Sequence, residues 1–284
     1  MQISVSSYSF SRMNTSPVER LRLAKALGFA AIEFTDVDTD TALRLREESE
    51  RLGFPIICYT VGADFLRAAS IEAEAERLYG QVNIAQVLGV HLMRHDATKG
   101  FPPLRAAHSS FAEALPLLAK GCRLVTEYAA EKGVITMIEN HGYFCQDSAR
   151  VAALVGAVSH PNFGVLVDIG NFLCADEDPA IATGNLAAMA LHVHAKDFHV
   201  KSGSGDDPGR GWFRSRGGNY LRGAIIGHGS VPVRQCLGNL RRAGYNGYVS
   251  IEFEGMEDCE TALEIGLENL ASMMNALFMT ERSL

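Results

Sequence analysis

Four apolar runs in this chain end in, or contain, a residue type that binds metal ions. The residues concerned are Glu139 of Val134–Glu139, Asp168 of Gly164–Asp168, His194 of Leu191–Phe198 and Glu252 of Tyr248–Glu252. Carboxylate oxygens together with one imidazole suit Mn²⁺, Mg²⁺, Co²⁺ or Zn²⁺. Three carboxylates brought close together would repel one another unless a cation neutralised them. The sequence therefore predicts that these four residues bind one divalent metal ion.

The run Leu191-His-Val-His-Ala-Lys-Asp-Phe198 places a polar residue at every second position. A strand here would point His192, His194 and Lys196 to one side, and each of them would need a polar partner once it left water. We expect His192 to be a hydrogen-bonded residue one layer below His194 and not a metal ligand. Lys196, one layer above, is predicted either to contact substrate oxygens or to form a salt bridge with Asp197.

A metal bound mainly by carboxylates can act as a Lewis acid on a hydroxy-ketone, because coordination positions remain for two neighbouring substrate oxygens. Removal of a proton next to the carbonyl then gives an enediolate that the metal stabilises. Two acid-base groups are needed, since the proton leaves one face or atom and returns at another. Glu139 and Glu252 are the predicted catalytic pair, and the product is an epimer or an isomer according to where the proton returns.

Short apolar runs alternate with amphipathic ones along the whole chain, and we count eight strand-helix repeats. The longest predicted helix extends from Pro103 to Lys132. Eight repeats in 284 residues predict an α/β fold, a single (β/α)8 TIM barrel spanning residues 1–284. An open dinucleotide-binding sheet is less favoured, because no Gly-x-Gly-x-x-Gly follows the first strand. In such barrels, catalytic groups lie at the carboxyl ends of the strands, where the four proposed ligands would meet.

Residues 201–223, after strand seven, are dense in Gly, Ser, Asp and Arg and contain the only tryptophan, Trp212. Long loops inside compact domains usually have a function. We predict a lid or substrate loop here, with a plain insertion as the alternative.

The composition excludes several classes of protein. A net charge of −7 with scattered basic residues argues against nucleic-acid binding. No apolar run is long enough for a membrane span, and no secretion leader is evident at the amino terminus. Six cysteines without a Cys-x-x-Cys pair are typical of reduced thiols, so we predict a cytoplasmic protein with a small-molecule substrate. Whether it forms a homo-oligomer stays open.

Two histidines are further candidates for substrate binding. His95 ends the fourth predicted strand, where it could contact substrate oxygens or cap the strand. His141 follows Glu139 by two residues and therefore shares its inward side. For His141, a substrate contact and a role in loop structure are both consistent with the pattern.

Several motifs resemble those of the xylose isomerase-like barrel superfamily, in its sugar phosphate isomerase/epimerase branch. They are Gly28-Phe-Ala-Ala-Ile-Glu33, Ile138-Glu-Asn-His-Gly142, Val167-Asp-Ile-Gly-Asn171, His192-Val-His-Ala-Lys-Asp197, Gly227-His-Gly229 and Gly244-Tyr-Asn-Gly-Tyr-Val-Ser-Ile-Glu-Phe-Glu-Gly255. The resemblance implies a TIM barrel that binds one divalent ion, commonly Mn²⁺. It also implies that Glu139, Asp168, His194 and Glu252 are the ligands and that the two glutamates transfer the proton.

The chain departs from the ketose 3-epimerases of that superfamily at three positions. Cys145 stands where they have a carboxylate, Asn171 where they have a substrate histidine, and Val200 where they have an arginine. Asn171 is therefore a predicted substrate contact, and Arg222 of the long loop, with Arg214 or Arg216 as alternatives, could replace the missing arginine. Endonuclease IV, a DNA-repair member of the same superfamily, needs further histidine and aspartate ligands for its zinc cluster. This chain has Asn171 and Ile226-Gly-His228 at those positions, so it resembles endonuclease IV less.

These observations predict an isomerase or epimerase of a small sugar, keto-sugar or cyclitol. The alternative is a metal-dependent lyase or dehydratase, in which the same enediolate expels a leaving group from a keto-sugar or a 3-keto-glycoside. A sugar-binding protein without catalytic activity is a third possibility, which would be preferred if metal removal left ligand affinity unchanged.

Overall fold

The structure, a computed structural model, describes residues 1–102 and 110–281. Its strands are β1 Gln2–Ser6, β2 Ile32–Thr35, β3 Ile56–Val61, β4 Leu92–His95, β5 Ile135–Glu139, β6 Phe163–Asp168, β7 Ala190–Ala195, β8 Asp197–Lys201, β9 Phe213–Arg214, β10 Tyr220–Ala224 and β11 Tyr248–Ile251. Eight of them close into a barrel in the order β1-β11-β7-β6-β5-β4-β3-β2. The predicted (β/α)8 barrel fold is thus confirmed.

Helices follow the barrel strands. In the described residues they are α1 Pro17–Ala26, α2 Thr39–Leu52, α3 Ile71–Leu88, α4 Phe111–Glu131, α5 Ser148–Val158, α6 Pro179–Leu186, α7 Val233–Arg242 and α8 Cys259–Glu281. The predicted helix from Pro103 to Lys132 corresponds to α4, and its positions 103–109 lie outside the described residues. None of these helices combines the length and apolar character that a membrane span requires.

Local signals in the sequence explain where the helices begin and end. Ser16 caps α1 by accepting a hydrogen bond from the N–H of Glu19, whose side chain in turn accepts from the N–H of Ser16. Helices α2 and α3 end at Gly53 and Gly89, which adopt the left-handed conformation that glycine reaches without strain.

Two compact units make up the chain, one formed by residues 1–32 and 167–284 and the other by residues 33–166. In the first, which we call the terminal unit, β11 pairs in parallel with β1 and with β7. In the second, the middle unit, β4 pairs in parallel with β3 and with β5. In both units the strands of the barrel are mostly buried, as expected for parallel strands with a packed lumen on one side and helices on the other.

The predicted loop at 201–223 differs from expectation, because strands occupy part of it. An antiparallel sheet in the order β8-β10-β9 spans residues 197–224, with Leu221 opposite Val200 on one side and Phe213 on the other. Strand β9 has only two residues, too few to show an alternation of apolar and polar side chains. The glycines and serines around it are typical of loops, so the sequence alone predicts no strand there. The segment is therefore an ordered hairpin-like sheet with an irregular tip.

Candidate active site

Three of the four predicted metal ligands meet in the terminal unit, at the carboxyl ends of β6, β7 and β11. The Nδ1 atom of His194 lies 4.0 Å from Oδ2 of Asp168 and 3.5 Å from Oε2 of Glu252. Asp168 and His194 are buried, and the Glu252 side chain is only 13% exposed. Two carboxylates and one imidazole are thus held together away from bulk water.

The turn after β6 orients the Asp168 carboxylate. Its Oδ1 accepts hydrogen bonds from the backbone N–H groups of Gly170, at 2.8 Å, and Asn171, at 3.0 Å. A side chain at Gly170 would collide with the backbone carbonyl of Lys196, so only glycine lets this turn lie so close to the end of β7. The other oxygen, Oδ2, is left facing His194 and Lys196.

The Lys196 ammonium forms ion pairs with three carboxylates of this group. Its Nζ lies 3.2 Å from Asp168 Oδ2, 2.7 Å from Glu252 Oε2 and 3.2 Å from Glu254 Oε1. It also donates to Oδ1 of Asn171 at 3.3 Å. The alternative of a salt bridge to Asp197 is not what the structure shows, since the ammonium turns inward to three other carboxylates.

The same group keeps Glu252 ionised. Burial by itself would raise the pKa of this carboxyl, but the neighbouring Lys196 ammonium and His194 ring lower it well below its usual range. Ser6 Oγ donates to Glu252 Oε1 at 3.3 Å, which fixes the second carboxylate oxygen. Glu252 is therefore presented as a carboxylate, the form that can accept a proton or bind a cation.

His192 lies one layer deeper in the same strand. Its Nε2 is 3.1 Å from Oγ of Ser250, which is 2.7 Å from Oγ of Ser4. The ring of His192 stands edge-on to that of His194 at 5.6 Å between centroids. These contacts are those of a hydrogen-bonded lumen residue that supports His194 from below.

The fourth predicted ligand, Glu139, lies in the middle unit at the end of β5. Its Oε2 is 2.5 Å from Nη2 of Arg94, and the same nitrogen is 2.8 Å from Oδ1 of Asp96. His141 Nδ1 is also 2.8 Å from Oδ1 of Asp96. The Arg94 guanidinium therefore bridges the carboxylates of Glu139, at the end of β5, and Asp96, directly after β4.

Charge and burial act in opposite directions on the Asp96 and His141 pair. Burial raises the pKa of Asp96, but the Arg94 guanidinium and the His141 ring lower it to about 2. Burial lowers the pKa of His141, whereas its hydrogen bond to Asp96 raises it, and the net shift is upward. The pair is thus arranged so that the ionised Asp96 carboxylate favours the protonated form of the His141 ring.

His95, predicted as a substrate contact, points the other way from Arg94. Its ring is fully buried, edge-on to Phe65 at 6.0 Å and tilted against Phe163 at 6.3 Å. Burial lowers its pKa to about 4, and its Nδ1 lies 2.8 Å from the backbone oxygen of Asp96. This environment indicates a packing role, and Arg94 is the residue of β4 that reaches Glu139.

The two remaining candidates have different surroundings. Asn171 is buried beside Lys196, within the group around Asp168. Arg222 lies on β10, where its guanidinium carbon is 5.6 Å from the centre of the Trp212 ring and its Nη2 is 3.6 Å from Glu257 Oε1. Asn171 is part of the candidate site, whereas Arg222 belongs to the three-stranded sheet.

Arg94, Glu254 and Asp197 are functional or supporting residues whose roles the sequence analysis missed. Glu254 follows Glu252 by two residues, so the alternation that identified Lys196 above His194 could also have identified it. Asp197 accepts hydrogen bonds from four backbone N–H groups, those of Phe198, Gly227, Gly229 and Val231. The sequence gives no signal of that role, because three of the four donors lie 30 to 34 residues further along the chain.

Comparison with known proteins identifies the family of the chain. The family model described as xylose isomerase-like TIM barrel matches residues 21–273. A search of the curated proteins found no match.

Solved structures share the fold at low sequence identity. The probable 3-DHS dehydratase from Bacillus anthracis superimposes with a TM-score of 0.75 at 18% identity, over 95% of this chain and 99% of the other. The 3-keto-D-glucoside 4-epimerase from E. coli gives 0.71 at 16% identity, over 96% and 99%. A xylose isomerase-like TIM barrel protein from Mycobacterium smegmatis, in complex with magnesium, gives 0.71 at 17% identity, over 97% of each chain. At these identities the likeness shows the fold alone.

Proposed function

Because the chain belongs to the xylose isomerase-like TIM barrel family, we propose that it is a divalent-metal-dependent isomerase or epimerase of a small sugar, keto-sugar or cyclitol. The observation that supports this most directly is the group formed by Asp168, His194 and Glu252 in the terminal unit, where His194 Nδ1 lies 4.0 Å from Asp168 Oδ2 and 3.5 Å from Glu252 Oε2. We propose Glu139, at the carboxyl end of β5, as the fourth ligand.

The chemistry of the donors fits a divalent ion. Three carboxylates and one imidazole suit Mn²⁺, our first choice, and Mg²⁺, Co²⁺ or Zn²⁺ are also compatible. The hydrogen bonds from Gly170 and Asn171 to Asp168 orient that proposed ligand, as outer-shell partners commonly do at metal sites. A bound ion would supply a Lewis acid that polarises the substrate carbonyl.

The chain's own residues provide the proton transfer. We assign the acid-base pair to Glu139 and Glu252, whose carboxylates are contacted by the cations Arg94 and Lys196, respectively. Glu252 is ionised, and the carboxylate is the form that can accept a proton from the carbon next to the carbonyl. The second glutamate, protonated when the substrate binds, then gives its proton to the opposite face or to the neighbouring atom, so that one carboxyl gains the proton that the other loses.

Lys196 and Arg94 are also the groups best placed to stabilise developing negative charge on the substrate oxygens. Both are buried cations, at 3% and 8% exposure, and a buried charge acts more strongly than one in water. Asn171 and His141 are the polar residues beside them. We therefore retain Lys196, Asn171 and His141 as proposed substrate contacts, add Arg94, and assign His95 a packing role instead.

The proposed chemistry is tested by incubating candidate keto-sugars with the protein and Mn²⁺ in D₂O. Deuterium should appear at the carbon next to the carbonyl, and Glu139→Gln or Glu252→Gln should abolish the incorporation. Glu127→Gln is the matched control, because that glutamate is exposed on α4, where it pairs with the equally exposed Arg123. Absence of incorporation with every sugar that binds would refute enediolate chemistry.

Elimination is the second candidate, because it begins with the same proton removal. It is favoured by the fold shared with the probable dehydratase, and its signature is an unsaturated or cleaved product. Mass spectrometry of the D₂O reactions separates it from epimerisation, which leaves the mass unchanged except for the added deuterium.

A cytoplasmic location is our proposal for the protein in the cell. All six cysteines are buried and free in the structure. Burial raises the pKa values of Cys58, Cys122 and Cys236, which makes these thiols unreactive.

A further inference from the structure

The three-stranded sheet β8-β10-β9 has two chemically different faces. On one face, Phe198 and Leu221 are buried with Cys174, and Phe213 packs against them. Since side chains alternate along a strand, Lys201, Tyr220 and Arg222 belong to the opposite face. The register supports this, because Tyr220 lies directly opposite Lys201 on β8 and Arg214 on β9.

That second face carries a cationic and aromatic group. Trp212 is half-buried, with Lys201 Nζ 5.2 Å and the Arg222 guanidinium carbon 5.6 Å from its ring centre. Arg222 Nε is buried without a hydrogen-bond partner, whereas the side chain as a whole is 29% exposed and its Nη2 lies 3.6 Å from Glu257 Oε1, beyond hydrogen-bond distance. Lys201 forms no ion pair with the carboxylates of the described residues. Both cations therefore retain donors for a ligand.

The charge of this segment is opposite to that of the chain. Residues 198–224 contain five Lys or Arg and two Asp, whereas the whole chain has a net charge of −7. A locally positive surface on an acidic protein attracts anions selectively. The location is therefore better suited to an anionic group than to a neutral one.

The sheet is joined to the candidate active site by the segment after β11. Gly223 of β10 forms a β-bridge with Gly255, and Arg222 faces Glu257. Glu254, one residue before the bridge, contacts Lys196, which in turn contacts Glu252. A ligand on the sheet would therefore lie next to the loop that contributes to the candidate active site.

We propose that Lys201, Trp212 and Arg222 form a subsite for a substrate oxyanion, either phosphate or carboxylate, on a sugar or cyclitol. The ring of Trp212 offers an apolar surface to the sugar, and the two cations bind the oxyanion through charge-assisted hydrogen bonds. The proposal rests on the proposed function, because it specifies that the sugar substrate is negatively charged.

Because the chain has one tryptophan, Trp212 fluorescence reports binding in the unmodified protein. Titrations without added metal would use inorganic phosphate, D-glucuronate and the neutral methyl glucoside. Both anions should change the emission saturably, and methyl glucoside should not. A stronger response to phosphate indicates a phosphorylated sugar, and a stronger response to glucuronate indicates an acidic sugar. Equal responses to anionic and neutral probes, or none, would overturn the proposal.

Calorimetric titrations of variants then test the assigned residues. Lys201→Met and Arg222→Met should each weaken binding of the preferred anion by about tenfold, as expected for loss of one charge-assisted contact. Arg46→Met removes the same charge from helix α2, where Arg46 pairs with Glu50, and should leave binding unchanged. Equal weakening by Arg46→Met would mean that only net charge matters and would refute the subsite. Neither readout involves turnover, so a failed D₂O experiment and a failed subsite are distinguishable.

Discussion

Replacing Lys196 by methionine tests the charge balance of the candidate site. Lys196 is 3% exposed and contacts Asp168, Glu252 and Glu254 at 2.7 to 3.2 Å. Methionine keeps much of the length and the apolar stem of lysine but removes the ammonium. The three carboxylates would then face one another without this cation.

The expected loss of stability is large because the site is buried. Removing one partner of a buried ion pair typically costs about 3–5 kcal/mol, since the other charge is left uncompensated. For a chain of this size, each kcal/mol lowers the melting temperature by about 2–4 °C, so a decrease of roughly 10 °C is expected in EDTA. Saturating Mn²⁺ should raise the melting temperature of the variant more than that of the wild type, because the proposed ligands then gain a substitute cation.

Thermal unfolding followed by circular dichroism measures both effects. Lys120→Met is the control, because it removes a lysine whose pair with Glu72 is exposed on both sides, and the melting temperature should not change. A Lys196→Met variant as stable as the wild type in EDTA would refute the electrostatic reasoning. A variant that is destabilised but gains no more from Mn²⁺ than the wild type would instead refute the assignment of the metal ligands.

Three further predictions concern stability. The pKa of His95 is about 4 in the native state and about 6.5 in the unfolded state, so protonation favours the unfolded state. The free energy of unfolding should therefore fall as pH decreases from 6.5 to 4, by up to about 3 kcal/mol. In urea titrations, the stability of His95→Phe should depend less on pH over this range. Asp197→Asn should cost about 3 kcal/mol in the same assay, because an amide cannot accept all four backbone hydrogen bonds; a change below 1 kcal/mol would contradict this. Gly223→Ala should destabilise by about 1–3 kcal/mol, since its methyl group would collide with the Glu254 backbone, whereas Gly156→Ala, with open space around it, should not.

The barrel and the ends of its strands could be predicted because apolar runs in a parallel barrel are buried on both sides. A charged residue such as Asp168 interrupts such a run only where the strand leaves the core. The same reasoning identified His194 and Glu252, which the structure brings together with Asp168. For these residues, the position of a polar side chain at or near the end of an apolar run was enough to predict its place at the end of a barrel strand.

The contacts of β4 could not be predicted, because Arg94 and His95 are neighbouring polar residues at the end of that strand and alternation alone does not say which of them faces inward. His95 was expected to contact the substrate, whereas Arg94 is the residue that contacts Glu139. The sheet within residues 201–223 was missed for a different reason. Its pairing joins residues such as Leu221 and Val200, and pairing between distant residues leaves no local periodicity to read.

The dipeptide Lys196-Asp197 shows how one strand end serves two purposes. The sequence suggests that these neighbouring opposite charges pair with each other, but successive residues of a strand point to opposite sides. Lys196 therefore turns toward the carboxylates of the candidate site, and Asp197 accepts the N–H groups of Gly227, Gly229 and Val231. Those hydrogen bonds hold the turn that leads into α7, and they fix the backbone from which Lys196 extends. Asp197 does not contact the proposed metal ligands, so a substitution there should affect the candidate site indirectly, by moving the backbone of Lys196. We therefore expect the main effect of Asp197→Asn to be a loss of stability.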